Sequence, residues 1–148
     1  KHRLYQQSHR NDLWQCRWGC VDLDAHQPGR RGQGTETEIL AAGRTIAAVL
    51  DGAGLGTWIE RTRSGGIHVW LFVDDWVRCD EMRAALGHAV DVAGATIDGI
   101  YPRADHAPGP PGNFVRLPYF GASQPGRLTM LDDQDLPLSL YDFLDEVR

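Results

Sequence analysis

The 148-residue sequence has no apolar run near the ~20 residues that cross a bilayer, and no secretory signal opens it. Both absences predict a cytoplasmic protein with no membrane partner. Cysteine is scarce: Cys16, Cys20 and Cys79 are an odd set without a dense framework, which fits a reducing compartment. Cys16 and Cys20 are spaced like half a zinc site. No second Cys or His pair follows suitably, so all three thiols read as small buried hydrophobes. Positive charge is short as well, with 15 Lys and Arg against 20 Asp and Glu for a net −5, which argues against retention on nucleic acid by bulk charge alone. A local basic groove stays open, because much of the acidity (Asp132, Asp133, Asp135, Asp142, Asp145, Glu146) gathers near the C-terminus. There are no internal repeats. A phosphate loop of the Gly-Lys-Ser/Thr kind is missing, which argues against a nucleotide-hydrolysing motor.

What is present is an ordinary globular mix, 42% apolar and 24% charged, of about one domain's length, read as a single domain over 1–148. The chain begins at Lys1 and not at a methionine, which fits a domain excised from a longer protein. Strands are expected at Trp18 to Leu23, Thr57 to Arg61 and Ile67 to Val73, which are rich in β-branched and aromatic residues. Weaker strand signals cover Thr96–Arg103 and Phe114–Pro118. Thr62-Arg63-Ser64-Gly65-Gly66 reads as a hairpin connection. A helix is expected over Glu36 to Asp51, capped by Thr35, with Ile39, Ala42, Ile46 and Val49 or Leu50 at helical spacing and Gly52 ending it. Further helices are expected over Asp80–Val92, with Met82, Leu86, Ala89 and Val90 on one side, and over Ser139–Val147. The order β-α-β-β-α-β-β-α predicts an α+β fold, a mixed or antiparallel sheet with helices on one face.

Three segments carry residues suited to chemistry. In Val21-Asp22-Leu23-Asp24 the strand alternation turns Asp22 and Asp24 to the same face. Paired carboxylates there either take a divalent cation, Mg²⁺ or Mn²⁺ being suited to oxygen ligands, or simply end the strand in solvent. In Arg61-Thr62-Arg63-Ser64-Gly65-Gly66-Ile67-His68, a strand histidine follows a glycine turn. Its arginines, Ser64 and glycine N–H groups suit a phosphate chain, and the plainer alternative is a core histidine after an ordinary turn. The third segment, Ile97-Asp98-Gly99-Ile100-Tyr101-Pro102-Arg103, offers another acid. It is followed by Gly112-Asn113-Phe114-Val115-Arg116-Leu117-Pro118. Three carboxylates can place two metals ~4 Å apart for phosphoryl displacement, which needs no Ser or Cys nucleophile.

Together these motifs resemble the catalytic core of the archaeo-eukaryotic primase superfamily, the primase-polymerases, and most closely the primase domains of TOTE conflict systems and related viral and plasmid enzymes. The acid-hydrophobic-acid strand matches Asp22-Leu23-Asp24, the turn-and-histidine strand matches Arg63 to Trp70, and the acid-bearing strand matches Asp98. Gly112 to Pro118 matches the signature that follows. The resemblance covers Trp18 to Gly121 and implies an RRM-like core with template-dependent nucleotidyltransferase activity, a DNA primase or polymerase of DNA replication. Asp22, Asp24 and Asp98 would bind Mg²⁺ or Mn²⁺ and carry catalysis. Arg63, Ser64, Gly66, His68 and Arg116 would bind the nucleoside triphosphate. The partners implied are single-stranded or primed DNA, with helicase or other domains of a longer parent.

Two positions depart from the family pattern: Gly66 stands where a serine is common, and Ala104 where relatives often carry glutamine. Asp105 competes with Asp98 as the third acid. The alternatives are an inactive nucleotide- or single-strand-binding domain of the same fold, a metal-dependent nuclease, and a plain nucleic-acid-binding module in which Arg30, Arg31, Trp14 and Trp18 hold a single strand by charge and stacking.

Overall fold

The computed structural model describes residues 8–10, 13–25, 34–103, 115–120 and 126–147. The chain runs β1 (Ser8–Arg10), β2 (Leu13–Leu23), α1 (Glu36–Gly52), β3 (Thr57–Arg61), β4 (Ile67–Arg78), α2 (Cys79–Ala93), β5 (Gly99–Tyr101), β6 (Thr129–Leu131) and α3 (Leu140–Glu146). It is an α+β fold. The sheet has the order β1-β2-β4-β3-β6, with β5 also paired to β2, and each of these ladders is antiparallel. β1 joins β2 at Leu13–Gln15 and β5 joins it at Cys20–Asp22, on either side of a register shift between Cys16 and Trp18.

Two helices arise where the periodicity places them. Thr35 accepts from the Glu38 N–H while the Glu38 carboxylate accepts from the Thr35 N–H at 2.8 Å, so two otherwise unpaired donors are satisfied reciprocally. α1 then buries Ile39, Gly43, Ile46, Ala47 and Leu50. Gly43 lets the helix approach β4 closely, since a methyl group there would lie 2.9 Å from Ile67 Cγ2. α2 buries Met82, Leu86, Ala89 and Val90 and ends at Gly94, whose φ of 61° is the left-handed cap that glycine adopts most easily. Both helices cover the face of the sheet that carries Val21, Leu23, Ile59, Ile67, Val69 and Leu71. Ile46 and Leu86 are fully buried there, and truncating either to Ala would cost on the order of 2–5 kcal/mol.

Four expectations are corrected. The three-residue strands β1 and β6 were not foreseen. β4 runs on to Arg78, past the exposed Asp74 and Asp75 that resemble a strand end. Residues 115–117 form no strand, although Val115 is buried. The third helix packs on the face opposite α1 and α2, where Phe143 meets Trp58 edge-on at 4.9 Å.

Candidate functional site

The face away from α1 and α2 carries a row that strand alternation makes continuous: Trp18, Cys20 and Asp22 on β2, His68, Trp70 and Phe72 on β4, and Trp58 and Glu60 on β3. The ladders set Asp22 directly opposite His68, and His68 directly opposite Glu60. Three strands thus bring two carboxylates to the two sides of one imidazole. His68 Nδ1 donates to Glu60 Oε2 at 2.8 Å, and His68 Nε2 lies 3.4 Å from Asp22 Oδ1. The Trp70 indole N–H donates to the same Glu60 oxygen at 2.7 Å. Glu60 is 0% exposed and His68 6%.

A buried carboxylate is costly unless paired and hydrogen-bonded, and here the pairing is with His68. Burial by itself would lower the His68 pKa. The hydrogen bonds to Asp22 and Glu60, and then their charges, outweigh burial and raise it to about 9. His68 is therefore an imidazolium at neutral pH, with Nε2 turned toward the partly exposed Asp22. Cys20 lies on the same face, two residues before Asp22 on β2 and opposite Trp70. Burial, followed by the charges of Glu60 and Asp22, pushes its thiol well above the ordinary value, so it is a neutral packing group and no nucleophile.

The remaining candidates are arranged around this core. Asp24 is the first residue beyond β2. Asp98 precedes β5, and its backbone N–H donates to the Asp22 carbonyl at 2.8 Å. Its carboxylate, however, faces Arg103 at 3.4 Å in an exposed pair. Gly99, not Asp98, stands opposite Asp22. Arg63 and Ser64 are exposed in the turn, with Ser64 Oγ 3.3 Å from Thr62 Oγ1. Gly65 has φ 86°, which glycine tolerates. Gly66 is a close-approach glycine: a methyl group there would sit 2.5 Å from the Leu23 carbonyl oxygen. A serine at that position would meet the same oxygen. Arg116 is exposed in the segment after Val115. Asp105, Ala104, Gly112, Asn113, Phe114, Arg30, Arg31 and the Trp14 side chain lie outside the described residues. Trp18 is half-buried and packs against Trp70 at 5.8 Å.

Among the described residues no group of three or more His, Cys, Asp or Glu side chains is disposed to hold one ion. Asp22 and Asp24 offer two carboxylates from one strand end. That donor chemistry fits Mg²⁺, which keeps several waters and takes one or two carboxylates together with substrate phosphates.

The sequence matches, over residues 4–148, the family described as "TOTE conflict system, Archaeo-Eukaryotic Primase domain". The chain belongs to this primase family. No curated protein matches it. In this chain Asp22, near the end of β2, stands opposite His68 on β4, with Asp24 just beyond the strand. No described helix is long and apolar enough to cross a membrane.

Glu60 was not among the residues expected to act. The signal was available: a five-residue turn over Thr62–Gly66 sets Arg61 opposite Ile67, and hence Glu60 opposite His68. An acid in the middle of an apolar strand, across from a histidine, is an ion pair in waiting.

Proposed function

We propose that this TOTE primase domain is a template-dependent nucleotidyltransferase that initiates or extends primers from nucleoside triphosphates. The observation that carries the reading is the Asp22–His68 pair, an acid of the first family motif set 3.4 Å from the histidine of the second. Phosphoryl transfer is mainly positioning and charge neutralisation, and this pair offers both.

Asp22 and Asp24 would hold Mg²⁺ or Mn²⁺, which when bound neutralises phosphate charge and polarises the reacting oxygens. His68 would donate from Nε2 to the triphosphate, a charge-assisted bond about twice as strong as a neutral one. Arg63, Ser64 and the N–H groups of the Gly65-Gly66 turn would line the phosphate path, with Arg116 approaching from the segment beyond β5. Asp98 would complete the acids by leaving Arg103. An exposed ion pair is worth only about 0–1 kcal/mol, so that exchange is inexpensive. Single-stranded or primed DNA would be the template, and helicase or other domains of a longer protein would be its companions.

The test is primer extension on a single-stranded template with labelled nucleotides and Mg²⁺ or Mn²⁺. Incorporation that disappears in the Asp22→Ala, Asp24→Ala double variant supports the reading. Shortening of the strand in place of extension identifies a nuclease, and nucleotide binding without turnover identifies an inactive binding domain.

A further inference from the structure

The role of His68 requires that one particular ring nitrogen face the substrate, and the sequence motifs do not show what enforces this. An imidazole on a strand can rotate about its side-chain bonds and, when neutral, can carry its proton on either nitrogen. Around His68 both freedoms are removed. Glu60 takes Nδ1–H at 2.8 Å from within the interior. The Trp70 indole takes up the other side of that same carboxylate oxygen at 2.7 Å, and its ring stands edge-on to the imidazole, 5.7 Å away. Glu60 Oε1 has no hydrogen-bond partner among the described residues, although it is buried. An unsatisfied buried acceptor destabilises the fold, so Glu60 is a poor choice if stability alone is at stake.

We propose that Glu60 is a positioning residue for nucleotide binding, holding the His68 ring by Nδ1 so that Nε2 faces the Asp22 side of the sheet, where the triphosphate would lie. This rests on the reading of the domain as a nucleotidyltransferase only in the identity of the ligand. Glu60 touches neither substrate nor metal and acts through His68. Trp70 fixes Glu60 in turn. The three residues form a chain running from the interior to the site, Trp70 Nε1–H to Glu60 Oε2 to His68 Nδ1–H, with Nε2 as its outlet.

Equilibrium binding of a labelled nucleoside triphosphate, measured beside primer extension, tests this with Glu60→Gln, His68→Ala and the double variant. Glu60→Gln keeps the volume and removes the charge. Carboxylates that orient functional histidines at metal sites typically contribute about 10–100-fold, and a loss of about 10-fold in triphosphate affinity is expected here. In extension the KM for nucleotide should rise more than kcat falls. In the His68→Ala background Glu60→Gln should add nothing, because its effect passes through the ring. Equal losses in both backgrounds, or unchanged affinity in Glu60→Gln, overturn the proposal. Should Glu60→Gln not fold, Trp70→Phe releases the other donor from the same oxygen. It should weaken binding a few-fold in the wild-type background and not in His68→Ala, and equal loss in both again overturns it. Wild-type binding without incorporation, with the expected Glu60 effect, removes the polymerase reading and leaves this one standing. Incorporation with no Glu60 effect does the reverse, and a wild type that binds no triphosphate removes both.

Discussion

Replacing Gly66 by alanine probes how closely the histidine hairpin is fitted against the aspartate strand. The new methyl group would stand 2.5 Å from Leu23 O, 3.2 Å from Thr62 Oγ1 and 3.4 Å from Asp24 Cα. Ordinary C···O contacts lie at about 3.3–3.6 Å, so the two chains must part by roughly 1 Å. Leu23 O cannot rotate away, because Leu23 is paired with Ile67 in the β2–β4 ladder. Overpacking of this kind costs about 1–3 kcal/mol, and the stiffer unfolded chain returns about 0.4–1 kcal/mol, which leaves a net loss near 1–2 kcal/mol. At about 2–4 °C per kcal/mol for a chain of this size, Tm should fall by roughly 2–8 °C. The displacement also acts on the Asp22–His68 approach, and a shift near 1 Å in an active site can cost about 100-fold in rate. Gly19→Ala is the control. Its methyl would lie 2.7 Å from Leu86 Cδ1 and Met82 Sδ, the ends of movable side chains beneath α2 and on the other face of the sheet. Thermal melting together with primer extension per folded molecule should show Gly19→Ala lowering Tm only and Gly66→Ala lowering both. A Gly66→Ala protein with unchanged Tm and rate would refute the argument.

Two further outcomes follow from the ionisation of buried groups. The His68 pKa is raised to about 9 in the fold, so its stabilising contribution is complete below its unfolded value near 6.5 and is lost as pH rises through about 9. Urea denaturation across that window should show falling stability, and His68→Asn should flatten the slope; an equal slope in both proteins would contradict the assignment. Cys16, Cys20 and Cys79 are buried and form no disulfide, and burial followed by the neighbouring Cys79 pushes the Cys16 thiol up to about 12. A thiol-specific reagent at mildly alkaline pH should label the native protein far more slowly than the denatured one, and labelling at the same rate would show that these residues are open to solvent.

The legible parts of the fold were those with local causes. α1 carries its own cap in Thr35 and Glu38, and its apolar residues from Ile39 to Leu50 recur at helical spacing over about three turns. The hairpin carries its own turn. β1 and β6 carry neither, because three residues cannot display an alternation, and they exist as strands through pairing with β2 and β3. The strand end expected at Val73 falls just before the charged pair Asp74 and Asp75. In the structure they are exposed positions on a strand that continues. At the site, Asp22 and His68 were legible as members of two motifs, while their contact depends on the β2–β4 register, which joins segments more than forty residues apart. Glu60 was overlooked because charge on a strand ordinarily means solvent, and only the cross-strand partner reverses that reading.

The five-residue turn between β3 and β4 gives the molecule a length constraint that composition does not express. Inserting or deleting a single residue at Thr62–Gly66 while β4 keeps its place would slide β3 by one position, and alternation would then carry Glu60 to the face beneath α1 and leave Ile59 or Arg61 across from His68. Drift in this hairpin is therefore confined to changes that keep seven residues between the glutamate and the histidine. A relative whose turn differs by one would need a compensating bulge to keep its imidazole anchored.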